Sequence, residues 1–186
     1  MASTLEKNSK IYLYFEFFFI YLILPIIVIF FQTKIFVYLF LYIIFFLSII
    51  LLKKEKFLFK SLFKKVNWRS FFIVSIIFFL IIFFYTYLYN KKLLFNFPLN
   101  NFEHWLLVIL FYPIISVLPQ EIIYRVLYIK RYARLFIFKN NYNYIINTFV
   151  FSYGHLVFGN FHALILTALS SSFFLYEYKN NSFLNC

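Results

Sequence analysis

Apolar residues run almost unbroken through six stretches, approximately Ile11 to Phe31, Ile35 to Leu52, Phe71 to Tyr89, His104 to Leu127, Tyr144 to Phe158 and Phe161 to Tyr178. A helix needs about 20 predominantly apolar residues to cross the hydrocarbon of a bilayer. The pattern therefore predicts an all-α, polytopic integral membrane protein with six transmembrane helices. Residues 53–69, KKEKFLFKSLFKKVNWR, alternate Lys with Leu and Phe at helical spacing and end close to Trp68, which predicts a basic amphipathic helix lying in the headgroups. The segment from Asn90 to Glu103 holds Pro98 and several Asn, and predicts an exposed turn. That turn divides the chain into a three-span region, 1–103, and a core, 104–186.

Composition agrees with this reading. Of the 186 residues, 65% are hydrophobic and 13% charged, and the mean hydropathy is +0.85. A water-soluble core cannot absorb so much apolar surface. The 32 Phe and 17 Tyr exceed what interfacial belts require, and are expected to be compositional filler facing lipid, not a stacking site.

A net charge of +12, from 18 Lys and Arg against six Glu, could suggest a nucleic-acid partner, but the positions point elsewhere. Lys53, Lys54, Lys56, Lys60, Lys64, Lys65 and Arg69 fall between two apolar runs, and Lys130, Arg131, Arg134 and Lys139 between two others. This is the distribution expected of cytoplasmic loops facing anionic headgroups. Lys7 and Lys10 precede a first span with no small-residue cleavage site, which predicts an uncleaved cytoplasmic N-terminus. Lys34, Lys91 and Lys92 fall outside, the C-terminus returns to the cytoplasm, and a bacterial inner membrane is the expected location. The single cysteine, Cys186, allows no intrachain disulfide and, as the last residue, no prenylation box. With Gly154 and Gly159 the only glycines there is no phosphate-cradling loop, so nucleotide cofactors drop out, and no cysteine pair or HExxH supplies a conventional zinc site.

Charged groups inside apolar sequence need partners, because one at the bilayer centre costs about 2.5–3.5 kcal/mol on insertion scales. Glu121 and Arg125 are one helical turn apart and can pair. Self-neutralisation alone would account for them, but Pro119 removes the helical bond to the carbonyl of Ile115 and predicts an opened backbone beside the pair. Open backbone at membrane depth requires protein or water to satisfy it. A break, a carboxylate and an arginine together suggest a hydrated cavity. His155 lies in the fifth stretch. Alone it is an ordinary interhelical hydrogen-bonding group, but beside a carboxylate it becomes a candidate to activate water. Glu16 is close enough to the start of its stretch to reach the interface, and Glu103 and His104 open the fourth stretch.

The run PQEIIYR followed about thirty residues later by FSYGH resembles the first two motifs of the CAAX protease and bacteriocin-processing (CPBP) family of intramembrane endopeptidases, EExxxR and FxxxH, over residues 104–178. The resemblance implies a polytopic helical core in which a motif-one glutamate and a motif-two histidine activate water to cleave a peptide or membrane-anchored protein. It places Glu121 and His155 as catalytic residues, Gln120 and Arg125 in support, and Phe151 as the motif-two phenylalanine. Gln120 stands where the family carries its first glutamate, and an amide cannot act as a general base. Three outcomes stay open: Glu121 is the base; Gln120 orients water or the substrate carbonyl while His155 is the base; or the chain is inactive. The family's later His-xxx-Asn motif would follow LYEYKNNSFLNC, so the resemblance implies truncation at Cys186. No cofactor is expected. A metal held by Glu121, His155 and His162 is a minor variant, His162 reading otherwise as an interfacial histidine. The rival functions are a non-catalytic, partner-binding relative of the same fold and a small transporter with a polar relay.

Overall fold

The computed structural model describes residues 2–31, 33–63, 66–136, 142–180 and 183, and every regular element among them is helical. Four helices are long and apolar enough to cross a membrane: α1 (Lys10–Phe31), α2 (Ile35–Lys54), α3 (Trp68–Tyr89) and α4 (Phe102–Phe136). Their limits lie close to the first four apolar runs. The last two runs also fold as helices, α5 (Tyr142–Gly154) and α6 (Phe161–Asn180), but they do not join the four. α5 spans only 13 residues before a 3-10 turn takes over at His155–Phe158, and α6 is diluted by Ser170, Ser171, Ser172, Glu177 and Lys179. Among the described residues, four of the six predicted spans therefore appear as helices of membrane-crossing length and hydropathy.

Prolines set the shape of α1 and α4. Pro25 has no N–H to return to Tyr21, and the backbone before it widens into a π-helical turn at Phe19–Ile23. Pro113 and Pro119 bracket a second π-helical turn, Pro113–Val117. The Ile115 carbonyl that Pro119 leaves free accepts a hydrogen bond from the Tyr42 hydroxyl of α2 at 3.0 Å. From Ile122 to Tyr132 α4 is π-helical again, and the Tyr21 hydroxyl of α1 donates to the Ile123 carbonyl at 2.7 Å. Tyrosines from neighbouring helices thus serve carbonyls along the irregular part of α4, the Tyr21 bond in the buried core.

That irregular half is the core. Ile123, Val126, Leu127, Tyr128 and Tyr132 are all buried, whereas nothing between Phe102 and Tyr112 is. Phe17 and Tyr21 of α1 pack on it, with the Phe17 ring 5.6 Å from Tyr132 and the Tyr21 ring 5.5 Å from Tyr124. Part of the aromatic excess is therefore the packing core between α1 and α4, which corrects its reading as lipid-facing filler. α5 lies against α4 and pairs along its length with α6. α3 has no buried residue. It is held to α6 by Phe78 against Phe173 and Phe174, by the Ser70 hydroxyl donating to Glu177 at 2.6 Å, and by Tyr85 bonded to His162.

The amphipathic helix predicted over residues 53–69 is not formed. α2 ends at Lys54, Lys56 takes a left-handed conformation at φ 55°, and the N–H groups of Lys56 and Phe57 return to the carbonyls of Lys53 and Leu52. This is a Schellman stop, completed by the apolar pair of buried Leu52 and Phe57. A short 3-10 turn at Phe59–Phe63 follows and buries Leu62, and α3 begins at Trp68. Leu62 is buried and Phe57 and Phe59 pack against the core, whereas Leu58 and Trp68 are exposed. Lys64, Lys65, Lys139 and Cys186 lie outside the described residues.

Candidate functional site

Glu121 and Arg125 are both buried, and Arg125 Nε lies 3.5 Å from Glu121 Oε2. The pairing expected from their spacing is present, at a separation longer than a charge-assisted hydrogen bond. Arg125 is held more firmly by α5. Its Nη1 donates to Asn147 Oδ1 at 2.9 Å, and the Asn147 amide in turn donates to the Tyr124 carbonyl at 2.5 Å. The guanidinium lies over the Phe151 ring, 4.3 Å from its centroid. Phe151 in turn lies 4.7 Å from the His155 ring. A continuous stack of contacts, Glu121 to Arg125 to Phe151 to His155, thus links the two polar patches of the sequence.

The His155 tautomer follows from its partner. Nδ1 lies 2.8 Å from the Phe151 carbonyl, and a carbonyl only accepts, so Nδ1 carries the proton and Nε2 of the neutral ring keeps its lone pair. His155 lines a cavity of about 450 Å³ between α1, α2, α4 and the turn after α5. Gln120 and Ser116 line it too, with the Gln120 amide donating to the Ser116 hydroxyl at 2.8 Å, which leaves Gln120 Oε1 as an acceptor. Glu121 is not among the lining residues. Residues 118–121 are α-helical, so the neighbours Gln120 and Glu121 project about 100° apart, Gln120 to the cavity and Glu121 to Arg125.

Gly154 lets α5 approach this wall. A Cβ there would collide with the Tyr124 hydroxyl, whose ring is fixed against Phe151 and Tyr21. Gly154→Ala is expected to lower stability by about 1–3 kcal/mol, with Tyr124→Phe in the same chain recovering most of the loss, measured by thermal unfolding in detergent. Asn147→Leu should cost about 1–3 kcal/mol for each partner it orphans, Arg125 Nη1 and the Tyr124 carbonyl. An unfolding midpoint unchanged from wild type would contradict that role.

His162 is elsewhere. It opens α6, bonds Tyr85 and lies 4.3 Å from the Tyr89 ring, so Glu121, His155 and His162 do not converge. No group of three His, Cys, Asp or Glu among the described residues could hold a metal ion.

Glu16 is tied into the fold by side-chain partners. It binds Arg131 through both oxygens, at 2.5 and 2.9 Å, and accepts from the Tyr132 hydroxyl. Arg131 also donates to Glu55 at 2.5 Å, and the exposed Arg134 reaches Glu55 at 3.3 Å. Arg131, expected at headgroups, ties α4 to α1 and to the end of α2. The sequence reading also passed over Asn147, Ser116 and Tyr124 as site residues. Asn147 carried the clearest signal, a polar amide within the fifth apolar stretch two turns before His155. Comparison of the chain with protein-family models, curated proteins and solved structures finds no match.

Proposed function

We propose that the chain is an integral membrane endopeptidase of the CAAX-protease-like (CPBP) type, with α5 and α6 completing six spans and both termini cytoplasmic. The observation that carries this reading is convergence. Two motifs about thirty residues apart meet in space, Arg125 of the first over Phe151 of the second, and a residue of each, Gln120 and His155, lines one cavity. Of the three outcomes open at the sequence level, the geometry fits best the one in which His155 Nε2 takes the proton of an attacking water while Gln120 orients that water or the substrate carbonyl. Glu121 then acts with Arg125 and Asn147 to hold the two helices in register. Substrates are peptides or membrane-anchored proteins, and the exposed Lys53, Lys54, Lys60, Arg69, Lys130 and Arg134 meet anionic headgroups.

A second reading, a partner-binding protein without catalysis, is favoured by one observation: among the described residues no carboxylate lines the cavity. Purified chain in lipid nanodiscs, incubated with a peptide panel, separates the two. The peptidase reading expects cleavage by wild type and none by His155→Ala with its unfolding midpoint intact. Binding without cleavage by any form would favour the second reading.

A further inference from the structure

The cavity opens at one end of the helices, and basic residues gather at the other. Thr33 just before α2, Tyr112 of α4 and Phe158 after α5 line the cavity and are exposed, which marks its mouth. His155 is one turn from Phe158 and so lies close to that mouth. Val28 and Ser116, also in the lining, are buried. Past Tyr124 along α4, Val126, Leu127, Tyr128 and Tyr132 are wholly buried, with Phe17 and Tyr21 of α1 packed on Tyr132. This packed layer separates the cavity from the far end of the helices.

At that far end Lys10 opens α1, Lys54 closes α2, and Arg69, Arg134 and Lys179 lie within three residues of an end of α3, α4 and α6. Side chains tie these ends together. Arg131 of α4 binds Glu16 of α1 and Glu55 just past α2, each at 2.5 Å, and Ser70 of α3 donates to Glu177 of α6. The sequence places Lys34, Lys91 and Lys92 at the mouth end, against this larger basic set. Short loops rich in Lys and Arg stay on the cytoplasmic side of a membrane. The mouth then faces away from the cytoplasm.

We propose that the cavity is entered from the non-cytoplasmic side, and that its substrate is the exported segment of a membrane-anchored polypeptide, met just outside the bilayer. This rests on the peptidase reading and its orientation, and names where the substrate is met. A cytoplasmic protein is disfavoured, because it would meet the basic ends and the packed layer before the cavity.

The test uses the full chain with its natural thiol removed by Cys186→Ser. Thr33→Cys and Phe158→Cys then place a thiol at the mouth, and Lys54→Cys places one at the basic end; all three positions are exposed, so the core stays intact. A quaternary-ammonium thiosulfonate is added to spheroplasts and to inside-out vesicles. Thr33→Cys and Phe158→Cys are expected to react at least about tenfold faster in spheroplasts, and Lys54→Cys at least about tenfold faster in vesicles, because a fixed charge crosses the bilayer poorly. Mouth thiols that react equally in both, faster in vesicles, or in neither would overturn the inference. In a second arm, a peptide of the panel is displayed on a single-span anchor, on one side of the membrane or the other. Cleavage by wild type, lost in His155→Ala, is expected only for the non-cytoplasmic display. Cleavage of the cytoplasmic display alone would overturn the inference and leave the peptidase reading standing. The expected labelling without cleavage of either display would remove the peptidase reading and leave the side of access standing, so the two fail separately.

Discussion

Gln120→Glu is expected to accelerate peptide hydrolysis by about a hundredfold, the lower end of what a positioned general base contributes. Gln120 already lines the cavity with His155, and Glu has the same shape, so the substitution places a carboxylate in a lining that has none among the described residues. The Ser116 hydroxyl that now accepts from the Gln120 amide can turn and donate to the new oxygen, so the local network survives the change. The gain should depend on His155: adding His155→Ala should return the rate to background. Initial rates on a peptide of the panel provide the measurement, and a Gln120→Glu rate equal to wild type would remove Gln120 from the site chemistry.

Arg125→Met should have the largest effect on stability, a loss of about 3–5 kcal/mol, the usual cost of stripping one partner from a buried ion pair. Arg125 is fully buried. Glu121 would be left with no other cation against it among the described residues, Asn147 would lose its donor, and Phe151 would lose the guanidinium over its ring. Adding Glu121→Gln should return much of the loss, because the buried carboxylate is then gone and only a neutral amide remains to be satisfied. Unfolding midpoints of the single and double variants decide this. If Arg125→Met alone unfolds like wild type, Arg125 does not join the two motifs.

What the sequence made legible was local. The first four apolar runs became α1 to α4 because length and hydropathy suffice for a helix facing lipid. Glu121 and Arg125 paired because one turn of helix places them side by side. Pro119 freed the Ile115 carbonyl because a proline has no N–H, but its replacement donor, Tyr42, lies on another helix and no local rule names it. The same holds for Glu16 and Arg131, each sensible alone at a membrane surface and unexpected as a pair joining α1 to α4. Residues 53–69 misled for a different reason. A helix stop of this kind ordinarily shows as glycine, and here Lys56 takes the left-handed position, so nothing in the pattern marked the break. Within the site, Gln120 and His155 were legible as candidates, whereas the direction each faces depended on how α4 packs.

The most direct measurement is peptide cleavage in water enriched in oxygen-18, with wild type, Gln120→Glu and His155→Ala reconstituted side by side. Hydrolysis at the cavity predicts one heavy oxygen in the new C-terminal carboxylate of the product from wild type, more of that product from Gln120→Glu, and none from folded His155→Ala. Labelled product formed equally by His155→Ala, or no product from wild type or Gln120→Glu, would contradict the assignment of this cavity as a hydrolytic site.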